Sequence, residues 1–198
     1  MYGMRTSFIL IPATFLLFAI GLVAQTAKPV TPRPRSTAPP STYKPNATVK
    51  ELMDYIVVPS GTAVFDSVST TTGANGAVEE KAPKTGADWA GVRRNALLLA
   101  EAANLLMVPG RHIAGPKDKS NNPGTELEPN EMEALVAKDR TGFARKARGL
   151  LDAVTLALKA IDEKDAGGLS DAGGEIDNAC ESCHLTFWYP NQKIPDLK

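Results

Sequence analysis

Apolar residues recur at steps of three and four along much of this 198-residue chain, the period that buries one stripe of a helix. Trp89, Val92, Ala96, Leu99, Ala103 and Leu106 form such a stripe and predict a helix from about Asp88 to Met107, stopped by Pro109-Gly110. Leu135, Phe143, Ala147, Leu150, Val154, Leu158 and Ile161 predict another over about Glu131 to Lys164, with Gly142 as the place where it divides. After Asp165-Ala166-Gly167-Gly168, a last helix turns Leu169, Ala172, Ile176, Ala179 and Cys183 inward and ends near Pro190. Gly173 and Gly174 lower its helix propensity, so a close backbone approach, to a neighbouring helix or to a bound group, is expected there.

A first helix is signalled further upstream. Thr48-Val49-Lys50-Glu51 has the form of a capping box, with Leu52, Met53, Ile56 and Val57 as the apolar face behind it. Pro59 is expected to kink or break this helix before Val64, Phe65 and Val68 resume the pattern. Residues 67–86, rich in Gly, Ser and Thr, read as a loop. The polar stretch 111–130 is long for a connection between packed helices and reads as flexible decoration. Four helices with polar connections predict an all-α fold, an antiparallel up-down-up-down four-helix bundle over residues 47–198.

The last helix carries Cys180-Glu181-Ser182-Cys183-His184, fourteen residues from the C-terminus. A Cys-x-x-Cys-His run is the spacing needed for covalent attachment of a c-type heme. Positions i and i+3 share a helix face, so both sulfurs reach the two vinyl groups of one porphyrin. His184 lies roughly 100° further round and is placed to ligate the iron. One heme c is therefore expected, held through Cys180 and Cys183 as thioethers with His184 as an axial ligand. Other uses of the pair fit less well. A thioredoxin-like site needs a strand before it. A zinc site would need every Cys and His in the chain, His112 included. A disulfide across so small a loop would constrain little of the unfolded chain.

Residues 1–24, with Arg5 ahead of the apolar run Phe8 to Ala24, read as an export signal. Leu22 replaces the small residue preferred two positions before a cut after Ala24, and the run is long. An uncleaved anchor that tethers the protein to the membrane is the alternative to a cleaved signal. Either places the remainder outside the cytoplasm, in the periplasm, where bacterial c-type heme is attached. Residues 25–46, with six prolines among Thr, Ser and Ala, form a linker unable to build a core. Five of the 22 basic residues precede residue 47 and none of the 22 acidic ones does, so the domain carries about −5. That balance argues against nucleic acid and agrees with docking to basic patches on redox partner proteins.

A helical bundle with this motif near the end of its last helix resembles the class II c-type cytochromes, cytochrome c-prime and its low-spin relatives. The resemblance rests on Cys180 to His184, on Phe187 one turn on, and on the Leu52-Met53 pair, and it spans roughly residues 48–190. By topology, Met53, Met107, His112 and Met132 all fall near the heme end, and periodicity does not separate them. The resemblance implies Met53 as the sixth ligand, a neutral thioether that raises the potential of the iron. Met107 is then expected to pack beside the ring and His112 to be exposed. Arg111 or an arginine of the second helix is a candidate partner for a heme propionate.

The functional expectation is an exported mono-heme electron carrier with His184 and Met53 on the iron. It is not expected to be an enzyme, since no nucleophile-base constellation is visible. The alternatives are a five-coordinate heme that binds NO or CO, as in cytochrome c-prime, and a tethered heme subunit of a larger redox complex. Relatives in this class often form homodimers through their first two helices, but no exposed apolar seam is evident in this sequence.

Overall fold

The computed structural model describes residues 43–192. The segment expected to be an export signal, and all but the end of the expected linker, lie outside the described residues. The helices are α1 (Val49–Leu52), α2 (Val58–Phe65), α3 (Gly86–Leu106), α4 (Pro129–Lys138), α5 (Arg140–Glu163) and α6 (Ala166–Phe187). A single wide π turn, Met53–Val57, joins α1 to α2. Among the described residues, no helix is long and apolar enough to cross a membrane.

The capping box at Thr48 forms as expected. Its hydroxyl accepts from the Glu51 amide, while the Glu51 carboxylate accepts from the Thr48 amide at 2.8 Å. Pro59 does not break the helix; it follows the π turn as the second residue of α2. The turn has a packing reason as well. Leu52 is buried, and so are Ser60, Gly61 and Val64. At about 100° per residue, a regular helix would set Leu52 roughly 130° away from the mean direction of those three. One extra residue in a widened turn removes about 100°, bringing Leu52 nearly onto their face. The opened backbone also makes room for a proline ring that would otherwise meet the carbonyl four residues back.

The helical expectation for the rest holds, with four corrections. Residues 67–86 are not all loop: β1 (Ser69–Thr72) pairs antiparallel with β2 (Val78–Lys81), Ser69 opposite Lys81 and Thr72 opposite Val78. Every residue of both strands is exposed, so no hydropathy alternation announces them. The expected third helix divides at Asp139, not Gly142. Asp139 leaves the helical region (φ −131°, ψ 63°) and its carboxylate accepts from the Gly142 amide at 2.8 Å, capping α5. A Cβ at Gly142 would stand 1.9 Å from that carboxylate, so glycine leaves space for the cap.

The third correction concerns the 111–130 stretch, which is no loose decoration. Its His112 and Ile113 carbonyls accept from the Val49 and Lys50 amides, both at 2.9 Å. Ile113 is buried, and the Leu127 amide donates to the Trp188 carbonyl at 2.9 Å. The fourth concerns α6. A Cβ at Gly174 would meet nothing within 4 Å, and one at Gly173 would make only ordinary contact with Phe65. No tight approach to a neighbouring helix explains either glycine.

α5 packs against both α6 and α3, while α2 rests chiefly on α3 and touches α6 little. Ala96, Ala103 and Ala157 are fully buried, which lets α3 and α5 approach closely. The larger core is built from α3, α5, α6 and α2 around Leu99, Val154, Leu169 and Ile176. A smaller one gathers Leu52, Leu106, Ile113, Val136, Phe143 and Phe187. Met53 packs against both. Leu97, Leu98 and Leu105, which lie off the buried stripe of α3, are exposed.

Candidate functional site

Light contact between α2 and α6 leaves space between the first helix and the end of α6. Two cavities occupy it, of about 160 Å3 and about 320 Å3. Met53, Asp54, Cys183, His184 and Trp188 line both. The first extends toward Ile113, Met132, Phe143 and Phe187, the second toward Val57, Leu99, Leu150 and Cys180. Their walls are mainly apolar, supplied by the two cores described above.

The helical spacing places Cys180, Cys183 and His184 as expected, on the stretch of α6 that faces this space. All three are partly buried, and the two cysteines form no disulfide. Burial pushes the Cys180 thiol up to about 11, with Asp177 adding to the effect. Burial likewise raises Cys183 to about 11, partly offset by Lys146. Burial lowers the pKa of His184, favouring the neutral imidazole that binds metal. A thioredoxin-type site lowers the pKa of a thiol at a helix N-terminus, whereas here the thiols sit late in a helix and are raised. The zinc reading finds no support either. His112 is exposed, its Nδ1 3.5 Å from Glu133, on a separate pocket with Asp118 and Glu128. Among the described residues, no three His, Cys, Asp or Glu side chains converge on a metal position.

The tertiary structure separates the candidates that periodicity left together. Met53 borders both cavities with His184, and Met132 borders the first. Met107 packs in the smaller core and lines neither. Arg111 does not face the cavities. It is buried at 6 % exposure, with Nε donating to the Leu105 carbonyl at 3.0 Å and Nη1 to the Ala47 carbonyl. It ties the end of α3 to the residue before the Thr48 cap. Arg93 of α3 pairs with Asp162 at 2.8 Å.

Several site residues went unread in the sequence. Trp188 stands edge-on to the His184 ring, centroids 4.8 Å apart at 88°, and Tyr189 lies 5.7 Å from it at 58°. The Tyr189 hydroxyl donates to Glu181 Oε2 at 2.6 Å. Burial and that bond hold the Tyr189 phenol well above its ordinary range. The signal for Trp188 was present, since i and i+4 share a helix face. Asp54 carries no sequence signal for the site; it borders both cavities beside Met53, in the π turn.

No family model matches the sequence, and no curated protein matches it. Among solved structures, a chain described as cytochrome c' is similar at 17 % identity and a TM-score of 0.45. The match covers 72 % of this chain and 98 % of that one.

Proposed function

We propose that the protein is an exported mono-heme c-type cytochrome that carries electrons, with His184 and Met53 as axial ligands. The observation that carries this reading is the sharing of both cavities by Cys183, His184 and Met53, with Cys180 on the wall of the larger. When bound, heme supplies a one-electron ferric/ferrous couple. The residues present fit such a group: two raised, protonated thiols available for thioether formation, a neutral imidazole beside them, and apolar walls from both cores. Lys119 on the first cavity and Lys146 on the second offer ammonium groups for carboxylates of the ligand. Met53 would close the sixth position from the opposite helix with a soft, neutral sulfur.

In this reading the helices run up-down-up-down, and residues 25–46 space the domain from the membrane. The N-terminal segment directs the chain to the periplasm. Electrons pass to and from other redox proteins rather than to a bound substrate.

The test is expression with heme-maturation machinery, followed by optical spectra of both redox states with and without CO. Covalent heme with a low-spin spectrum that disappears in Met53→Ala supports the assignment. A high-spin spectrum and rapid CO binding in the unaltered protein would sink Met53 as a ligand and favour gas binding. A chain that carries no covalent heme removes the heme reading altogether.

A further inference from the structure

A metal-binding imidazole is usually oriented by a hydrogen bond from its second ring nitrogen to a carboxylate, carbonyl or water. Among the described residues the His184 ring makes no hydrogen bond, and its ring contacts are Trp188 and Tyr189. The Glu181 carboxylate, three residues before it, bonds instead to the Tyr189 phenol at 2.6 Å.

The backbone holds this arrangement in place. The Trp188 and Tyr189 amides both donate to the His184 carbonyl, at 2.8 and 3.0 Å, which closes the C-terminal turn of α6. That turn sets Trp188 over His184 on the same helix face and carries Tyr189 back toward Glu181. The two aromatic rings also touch, centroids 5.2 Å apart at 45°. From outside the helix, the Leu127 amide donates to the Trp188 carbonyl at 2.9 Å, fastening this end to the 111–128 segment. An edge-on pair at 4.8 Å lies within the range where aromatic rings attract through their quadrupoles, which favours one ring rotamer over others.

We infer that Trp188 and Tyr189 are positioning residues that fix the rotation of the His184 ring, with Glu181 latching Tyr189 in place. The inference rests on the heme reading above but not on Met53. The plane of the axial imidazole relative to the porphyrin decides how unpaired spin is distributed over the heme, so the clamp sets an electronic property as well as a conformation.

The test is proton NMR of the ferric cyanide form of the heme-loaded protein, compared across variants. Cyanide occupies the sixth position identically in each, so the four heme-methyl shifts report the imidazole plane. Trp188→Leu is expected to reorder the methyl shifts or narrow their spread, while Trp188→Phe, which keeps an aromatic edge, retains the pattern. Tyr189→Phe releases the ring from Glu181 and is expected to shift the pattern in the same sense by less. If Trp188→Leu does not fold, Tyr189→Phe decides alone. Methyl shifts unchanged in Trp188→Leu or in Tyr189→Phe overturn the clamp, as does a Trp188→Phe pattern altered as fully as that of Trp188→Leu. Unaltered protein without covalent heme instead overturns the heme reading, and the clamp falls with it.

Discussion

Met53 and His184 border the same two cavities, one from the π turn of the first helix and one from α6. The pairing is the basis for ranking Met53 above the other candidates. Met132 is its nearest rival, because it borders the first cavity too. Met53→Leu keeps an apolar side chain of similar volume while removing the sulfur, and is expected to abolish the low-spin spectrum and admit CO. Met132→Leu is expected to leave both unchanged. Optical titration with CO compares the two, and the opposite ranking would move the ligand to Met132.

The attachment chemistry makes a separate prediction. Cys180→Ser and Cys183→Ser each leave one sulfur, so each is expected to carry heme through a single thioether or to lose it. The double variant is expected to carry none after denaturing electrophoresis with heme staining. Retention of covalent heme in the double variant would show that attachment is elsewhere.

The π turn and Pro59 are coupled. Deleting exposed Tyr55 removes the extra residue while keeping Leu52 on the face of Val64, but it leaves Pro59 within a regular helix. The deletion alone is expected to cost about 3 kcal/mol, and Pro59→Ala in the same chain is expected to recover most of it. Urea unfolding measures both. A deletion that is harmless with Pro59 present would show that the proline does not require the widened turn.

Arg111 should behave as a structural residue. Its guanidinium bonds the Leu105 and Ala47 carbonyls from a buried position. Arg111→Ala is expected to lower stability by about 2–3 kcal/mol through the lost charge-assisted bonds. The optical spectrum of the attached heme should not change. A spectral shift without loss of stability would return Arg111 to the role of a heme partner.

Two capping boxes predict how stability responds to acid. Hydrogen bonds from the Thr48 amide and hydroxyl hold Glu51 below its ordinary 4.5. Bonds from the Thr85 amide and hydroxyl likewise hold Asp88 below 3.8. Each folded-state pKa is depressed, so each box contributes stability in full above the ordinary value. That contribution is lost as pH falls through the lowered one. Glu51→Gln and Asp88→Asn are therefore expected to flatten the fall in thermal stability below about pH 4.5. A fall as steep as in the unaltered protein would mean that other carboxylates dominate it.

The sequence by itself determined the helices with one buried stripe, the Thr48 cap, and a Cys180–Cys183–His184 face on the last helix. These follow from local spacing, because helix geometry alone decides which residues share a face. Tertiary structure decided what spacing cannot express. The first helix had to match Leu52 in one core to Val64 in the other, and a π turn absorbed the mismatch just before Pro59, where the sequence had suggested a kink or break. The 111–128 segment looked like decoration because its packing is made by backbone groups and single side chains such as Ile113, which leave no periodic trace. The exposed hairpin was hidden for the opposite reason, having no buried face to pattern. Which of Met53, Met107, Met132 and His112 border a cavity with His184 was likewise beyond local spacing: Met53 and Met132 do, Met107 and His112 do not. That is a property of helices packed together, and no one helix carries it.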